Sequence, residues 1–225
     1  MSVSVYLAQA LEVRRSAFGS DPWLESLSIF LNRIAALLIL VALSPVMLIV
    51  AWLVRRQDHG PVLFGHYRVG RDGRLFRCLK FRTMRMNAAE LLAELLQNDP
   101  AARAEWERDR KLTKDPRVTP IGDFLRRTSL DELPQLVNVL RGEMVLVGPR
   151  PITVDELTKY GRTRWHYLAV PPGITGLWQV SGRSDTTYDE RVALDRTYVE
   201  TRTPWVDLCV LFKTVKVVLR RDGAR

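Results

Sequence analysis

Between Ile34 and Val54 the chain reads IAALLILVALSPVMLIVAWLV, without a single charge, closed by Arg33 on one side and by Arg55-Arg56 on the other. A stretch this apolar belongs in lipid. At ~1.5 Å of helical rise per residue it just reaches across a hydrocarbon core of ~30 Å. Ser44 and Pro45 stand at its middle. Proline removes a backbone donor and crowds the preceding turn, which frees the carbonyl of Val41 within reach of the Ser44 hydroxyl. A sharp bend is expected there. Arg14, Arg15 and Arg33 precede the segment and Arg55, Arg56, Arg68 and Arg71 follow it. The positive-inside tendency therefore draws both ends to the cytoplasmic face. A re-entrant helix hairpin satisfies both pulls and a kinked spanning helix satisfies the length. The residues alone leave these two open, while everything from Arg55 onward is expected in the cytoplasm.

The 225 residues suffice for one sizeable domain and an anchor. Thirty-four lysines and arginines against 25 acids give a net charge of +9, which suits nucleic acid, anionic headgroups or phosphorylated substrates without choosing among them. Cys78 and Cys209 match no metal or redox spacing, and the first residues carry no signal-peptide pattern. Past the anchor, Val62–Tyr67 and Leu75–Phe81 have strand character around Gly70-Arg71-Asp72-Gly73, where Asp-Gly supplies the positive backbone angles of a tight turn. Asn87–Lys111 reads as a solvated helical pair broken at Asn98-Asp99-Pro100. A helix is expected from Thr119-Pro120 to Arg127, another over Leu133–Leu140 stopped by Arg141-Gly142, and a short buried strand over Met144–Val147. Pro151 marks the start of a helix to Tyr160, and Pro171–Ser184 is turn-rich. Thr187 and Glu190 form a capping box for a helix ending near Thr201. Over Trp205–Arg221, Trp205, Leu208, Leu211, Phe212, Val215 and Leu219 alternate at helical spacing with Lys213, Lys216, Arg220 and Arg221. Such a helix suits an anionic membrane surface or the domain core, and the two are not exclusive.

The stretch richest in chemistry is Arg126-Arg127-Thr128-Ser129-Leu130-Asp131-Glu132-Leu133-Pro134-Gln135. A purely structural account exists: Ser129 with Glu132 as a capping box, or Asp131 as an N-cap with Pro134 in the first turn. Adjacent acids repel, however, and one is pushed toward its neutral form unless cations or a helix start compensate. An ionised aspartate beside a bound phosphate can act as a nucleophile, and a neighbouring carboxylate can hold magnesium against a pyrophosphate. Three further clusters have phosphate- or nucleoside-binding character, each weak alone. Gly148-Pro149-Arg150-Pro151 fixes an arginine in a rigid turn. Lys80-Phe81-Arg82-Thr83-Met84 ends the hairpin, where it can also serve as a basic strand edge. Pro172 to Ser184 carries glycines together with Trp178, Gln179 and Arg183.

The ordered combination of Ser44-Pro45 in an apolar hairpin, Lys-Phe-Arg-Thr-Met, Leu-Asp-Glu-Leu-Pro-Gln, Gly-Pro-Arg-Pro and Pro-Gly-Ile-Thr-Gly-Leu-Trp-Gln resembles the bacterial sugar transferases known as monotopic phosphoglycosyl transferases. The resemblance runs from about Leu27 to the C-terminus. It implies a re-entrant anchor over 27–58 bent at Ser44-Pro45, after a leader of 1–26, and a cytoplasmic catalytic domain over 59–225 ending in an interfacial helix near 204–221. The fold implied is α/β in a loose sense, mainly helical with a small β-hairpin and no Rossmann domain. Asp131 would be the nucleophile on the sugar-bearing phosphate of a UDP-sugar, releasing UMP, with Glu132 holding Mg2+. Lys80, Arg82 and Arg150 would neutralise the phosphates, while Trp178, Gln179 and Arg183 would lie near the nucleoside or sugar. The acceptor would be polyprenyl (undecaprenyl) phosphate on the cytoplasmic face of the bacterial inner membrane. Likeness is greatest to the short exopolysaccharide type that transfers galactose or glucose 1-phosphate. Anionic lipid is an expected partner and nucleic acid is not, homo-oligomer formation is left open, and an N-acetylated donor is the alternative. A non-catalytic, membrane-tethered basic binding module is the rival of a different class.

Overall fold

A computed structural model of the chain describes residues 22–109, 112–182 and 186–220. The expected leader lies almost wholly outside this range. The fold is mainly helical with two small sheets. Helix α1, Pro22–Asp58, takes in the whole apolar segment. It stays helical through Pro45, and the Ser44 hydroxyl donates to the Val41 carbonyl at 2.8 Å, taking the acceptor that proline cannot serve. Helical backbone thus continues across Ser44-Pro45, where a break was expected; a proline inside a helix can bend it without ending it.

One stripe of α1 is covered along its length. Glu25 pairs with Arg71, Asn32 Oδ1 accepts from the Leu146 backbone N–H at 2.9 Å, and Ala36 is fully buried against Phe76, Leu136 and Val139. Beyond Pro45, Val50 and Val54 are buried with Phe81 and Leu125, and Asp58 closes the helix on Arg82. The remaining faces, with Leu38, Val41, Leu48, Ile49 and Trp52, are exposed apolar surface. That pattern is inverted for a water-soluble helix and suits one whose uncovered side meets lipid.

Strands β1 (Leu63–Val69) and β2 (Leu75–Phe81) pair antiparallel, Leu63 opposite Phe81 and Phe64 opposite Lys80. Asp72 (φ 58°) and Gly73 (φ 76°) turn the hairpin as the Asp-Gly signal requires. Helices α2 (Ala88–Asn98) and α3 (Pro100–Asp109) follow, separated at Asp99 as read from the sequence. Helix α4 (Pro120–Thr128) is capped by Thr119, whose hydroxyl accepts from the Gly122 N–H. Helix α5 (Gln135–Arg141) ends at Gly142 in the left-handed conformation. Strand β3 (Val145–Val147) leads through α6 (Val154–Lys159) and α7 (Arg164–Ala169) to β4 (Gly173–Thr175), which pairs parallel with β3. Helix α6 starts three residues after the expected Pro151, because Ile152 bridges to Val69 and Thr153 with Glu156 forms the capping box. The stretch read as turn-rich holds β4 and the single turn α8 (Leu177–Val180).

Helices α9 (Tyr188–Thr201), with its Thr187–Glu190 capping box, and α10 (Pro204–Arg220) complete the chain. Helix α10 packs one face on the domain core, as one of its two expectations has it, and leaves another exposed. Val210 is buried with Val147 and Tyr198, and Thr214 shares a hydrogen bond with Thr175, whereas Trp205, Leu208, Phe212 and Val215 form an exposed apolar stripe at 3-4-3 spacing.

Candidate active site

Along β2, Phe76, Cys78 and Lys80 project to one face. Phe76 and Cys78 sink into the core under α5, leaving Lys80 at its rim. The fully buried Asn138 of α5 fixes this packing: its Oδ1 accepts from the Leu79 N–H at 3.0 Å and its Nδ2 donates to the Arg77 carbonyl at 2.9 Å. The strand and the middle of α5 are thus locked in register.

Between α4 and α5 the chain makes one 3-10 turn, Leu130–Glu132. Ser129 adopts the left-handed conformation (φ 56°) that closes α4, and its side chain caps nothing. Asp131 lies inside the turn, and the N-cap position of α5 is taken by Pro134. Both structural explanations for the acidic pair, the Ser129–Glu132 capping box and the Asp131 N-cap, therefore fail here. Leu130 and Leu133 pack into the core with Leu125 and Phe81.

Lys80 Nζ lies 2.7 Å from Glu132 Oε1 and 3.4 Å from Asp131 Oδ2. Arg150 Nη1 stands 3.6 Å from the same Glu132 oxygen. Asp131 is only 8% exposed. Burial pushes its carboxyl above the ordinary range and the Glu132 charge adds to this, while Lys80 and, more weakly, Arg126 oppose it. Arg126 is held by a 3.0 Å hydrogen bond from its Nε to the Thr83 hydroxyl. The result is a shielded carboxylate with cations at hand and few hydrogen bonds to blunt it.

Arg150 is delivered by an interlock of backbones. The Gly148 N–H donates to the Thr175 carbonyl and the Gly173 N–H to the Pro149 carbonyl, each at 2.8 Å. A Cβ on Gly173 would stand 2.1 Å from Gly148 N, and one on Gly176 would stand 2.1 Å from Gly148 O. Only glycine allows this approach. Two guanidinium groups lie over Trp178, Arg150 at 5.7 Å and Arg191 at 4.6 Å from its ring centre, and its indole N–H donates to Thr186 at 2.6 Å.

Of the residues singled out from the sequence, Lys80, Asp131, Glu132 and Arg150 converge, with Trp178 behind Arg150. Gln179 is buried in the same turn, and Arg183 lies outside the described residues. Arg82 does not join the cluster. It is 9% exposed and paired with Asp58 at the end of α1. Its backbone still pairs with Val62, but its guanidinium is drawn to Asp58 and to the Met86 sulfur rather than to the acidic turn.

A support beneath Arg150 and Trp178 escaped the sequence reading. Arg191 Nη1 lies 3.5 Å from Glu156, which also accepts from Arg68 at 3.1 Å. Burial raises the Glu156 carboxyl, but the Thr153 N–H and the charges of Arg191 and Arg68 outweigh it and leave the group below its usual range. One turn on from Arg191, the buried Asp195 accepts from the Tyr160 hydroxyl at 2.7 Å, and burial lifts its carboxyl to about 6. The four-residue spacing of Arg191 and Asp195 on a capped helix was the available signal; their distant partners were not legible.

Among the described residues no three His, Cys, Asp or Glu side chains are grouped to hold an ion. Glu132 beside Asp131 nevertheless offers hard oxygen donors at the mouth of a cationic site. Such a set fits magnesium bound the way it usually is, by one or two carboxylates with the remaining positions filled by substrate phosphates and water.

The family model described as bacterial sugar transferase matches residues 24–221. The undecaprenyl-phosphate galactose phosphotransferase of Salmonella typhimurium is 58% identical over 87% of this chain and 42% of its own length. The UDP-galactose-lipid carrier transferase of Erwinia amylovora is 54% identical over 87% of the chain and again 42% of its own length. The exopolysaccharide production protein ExoY of Sinorhizobium fredii is 50% identical over 84% of both chains. The chain thus spans about two fifths of the first two relatives and most of the third.

Proposed function

The chain belongs to the bacterial sugar transferase family, and from that premise we propose that it transfers a hexose 1-phosphate from a UDP-sugar to polyprenyl phosphate in two displacements on Asp131. In the first, a carboxylate oxygen of Asp131 attacks the phosphorus that bears the sugar, the bond to the UMP oxygen breaks, and UMP leaves. In the second, an oxygen of the polyprenyl phosphate attacks the same phosphorus, giving polyprenyl diphosphate sugar and restoring Asp131. Lys80 and Arg150 face the charge that develops on the phosphoryl oxygens, in a site preorganised by Asn138 and by the glycine interlock. Magnesium, held by Glu132, would neutralise diphosphate charge. The observation that carries this reading is that the buried Asp131 and its neighbour Glu132 cap no helix and instead share Lys80.

The donor is a UDP-hexose, galactose or glucose, because relatives named for galactose transfer are 54 and 58% identical and one named for glucose 1-phosphate transfer is 39% identical. The reaction occurs at the cytoplasmic face. Helix α1 enters and leaves the bilayer on that side: its apolar segment is closed by Arg33 before it and by Arg55-Arg56 after it, and both halves pack on the same body.

Purified protein in detergent, given magnesium, polyprenyl phosphate and a panel of UDP-sugars including N-acetylated ones, tests the reaction. UMP release that depends on one donor and vanishes in Asp131→Asn is the expected result. Silence from folded protein across the panel would leave a membrane-tethered basic module. For topology, a cysteine at Ser2 should react with a membrane-impermeant reagent only from the cytoplasmic side.

A further inference from the structure

At the cytoplasmic end of α1 a cavity of about 820 Å³ opens between three elements. Leu53, Arg56, Gln57 and Asp58 come from the last turns of α1, Arg85, Met86 and Asn87 from the segment after β2, and Pro120 with Ile121 from the first turn of α4. Its walls are mostly hydrocarbon, from Leu53, Met86, Pro120 and Ile121. Its charge is cationic: Arg56 and Arg85 are exposed at the rim, and the one acid, Asp58, is already paired with Arg82.

Three features single out an amphiphile with an anionic head. The Leu53 wall continues directly into the exposed apolar face of α1 through Ile49 and Trp52, so the mouth is contiguous with the surface assigned to lipid. Arg56 lies over the Trp52 ring at 5.1 Å, an aromatic–cation pair of the kind found where hydrocarbon meets headgroups. The cavity also adjoins elements that carry the reaction centre. Arg82 borders it through Asp58 and Met86 and stands two residues from Lys80, and α4 runs from the cavity wall to Arg126 and the Asp131 turn over ~13 Å.

We propose that this cavity is the entry chamber for the lipid acceptor. The apolar walls take the isoprene units next to the phosphate, and Arg56 and Arg85 draw the phosphate out of the headgroup layer toward Arg82 and Lys80. A water-soluble UDP-sugar needs no such doorway, so the two substrates reach Asp131 from different sides. The assignment rests on the transferase reading for the identity of the lipid.

Two measurements test it. In steady-state turnover, Arg85→Glu at the rim and Met86→Trp, which fills the chamber, should each raise the KM for polyprenyl phosphate at least tenfold while leaving the KM for the UDP-sugar within twofold. Both positions are exposed, so neither change threatens folding. Equal movement of both KM values, or of neither, overturns the proposal. Independently of turnover, a photoreactive phenylalanine analogue in place of Met86 should crosslink polyprenyl phosphate in nanodiscs and be competed by it, but not by polyprenol or phosphatidylglycerol. Equal crosslinking of phosphatidylglycerol would make the chamber a general lipid cleft and overturn the proposal. Crosslinking of polyprenyl phosphate by a protein that releases no UMP would uphold the chamber and sink the transferase reading.

Discussion

Lys80 Nζ reaches Glu132 at 2.7 Å and Asp131 at 3.4 Å, so a single ammonium serves both carboxylates of the acidic turn. The nearer acid therefore carries most of the ion pair, and the farther one is held in place with its oxygens less committed.

Replacing Lys80 should separate these contributions. Lys80→Ala leaves two adjacent acids without their shared cation and is expected to destabilise the fold by about 1–3 kcal/mol while removing turnover. Adding Glu132→Gln to that variant should recover part of the stability and none of the activity, as read by denaturant titration and UMP release.

Asp131→Asn is expected to abolish turnover with a Tm equal to or above that of the wild type at pH 7. The sign follows from the raised carboxyl, which favours folding below the unfolded-chain value and loses that advantage as pH rises through the folded value. At neutral pH the ionised group opposes folding and asparagine removes the opposition. Thermal melts should show the difference shrinking as pH is lowered.

In the proposed reaction Asp131 attacks as the ionised carboxylate, so UMP release in the first displacement should fall on acidification with a midpoint above the ordinary aspartate value of 3.8. A pH–rate profile of single-turnover UMP release reads this directly. An acid limb at or below 3.8 would contradict the burial of Asp131.

Arg82→Ala should cost about 1–3 kcal/mol by stranding Asp58 at the end of α1. The double change Asp58→Asn with Arg82→Gln should be more stable than Arg82→Ala. If the double variant is no better, Arg82 does more than close the helix.

Trp178→Ala removes the ring shared by Arg150 and Arg191 and should raise the donor KM about tenfold, with Trp178→Phe restoring most of the loss.

Signals that act over a few residues survived folding intact. The Asp-Gly turn, the break at Asp99 and the Thr187–Glu190 box are fixed by backbone chemistry within four residues of themselves. Ser129 shows the limit of such rules, because its spacing to Glu132 was right for a cap while the chain needed it as the left-handed closure of α4. Strand β4 was illegible for a different reason. Three residues carry no period, and its partner β3 lies across two helices. The acidic turn, Lys80 and Arg150 could be nominated from residue type and order, whereas the Glu156–Arg191–Trp178 support exists only through tertiary contacts. Arg82 was nominated by the same logic as Lys80, but its pairing with Asp58 at the end of α1, which keeps it out of the acidic turn, is a contact 24 residues away that no local signal shows.

Ala36, Val50 and Val54 belong at once to the apolar segment and to the cores that carry Phe76, Phe81 and Leu125. A substitution there that a hydropathy scale scores as silent, such as Val54→Phe, is a substitution in the domain's interior. The apolar helix therefore cannot be exchanged for another of equal hydrophobicity without repacking the cores that hold Lys80 beside Asp131.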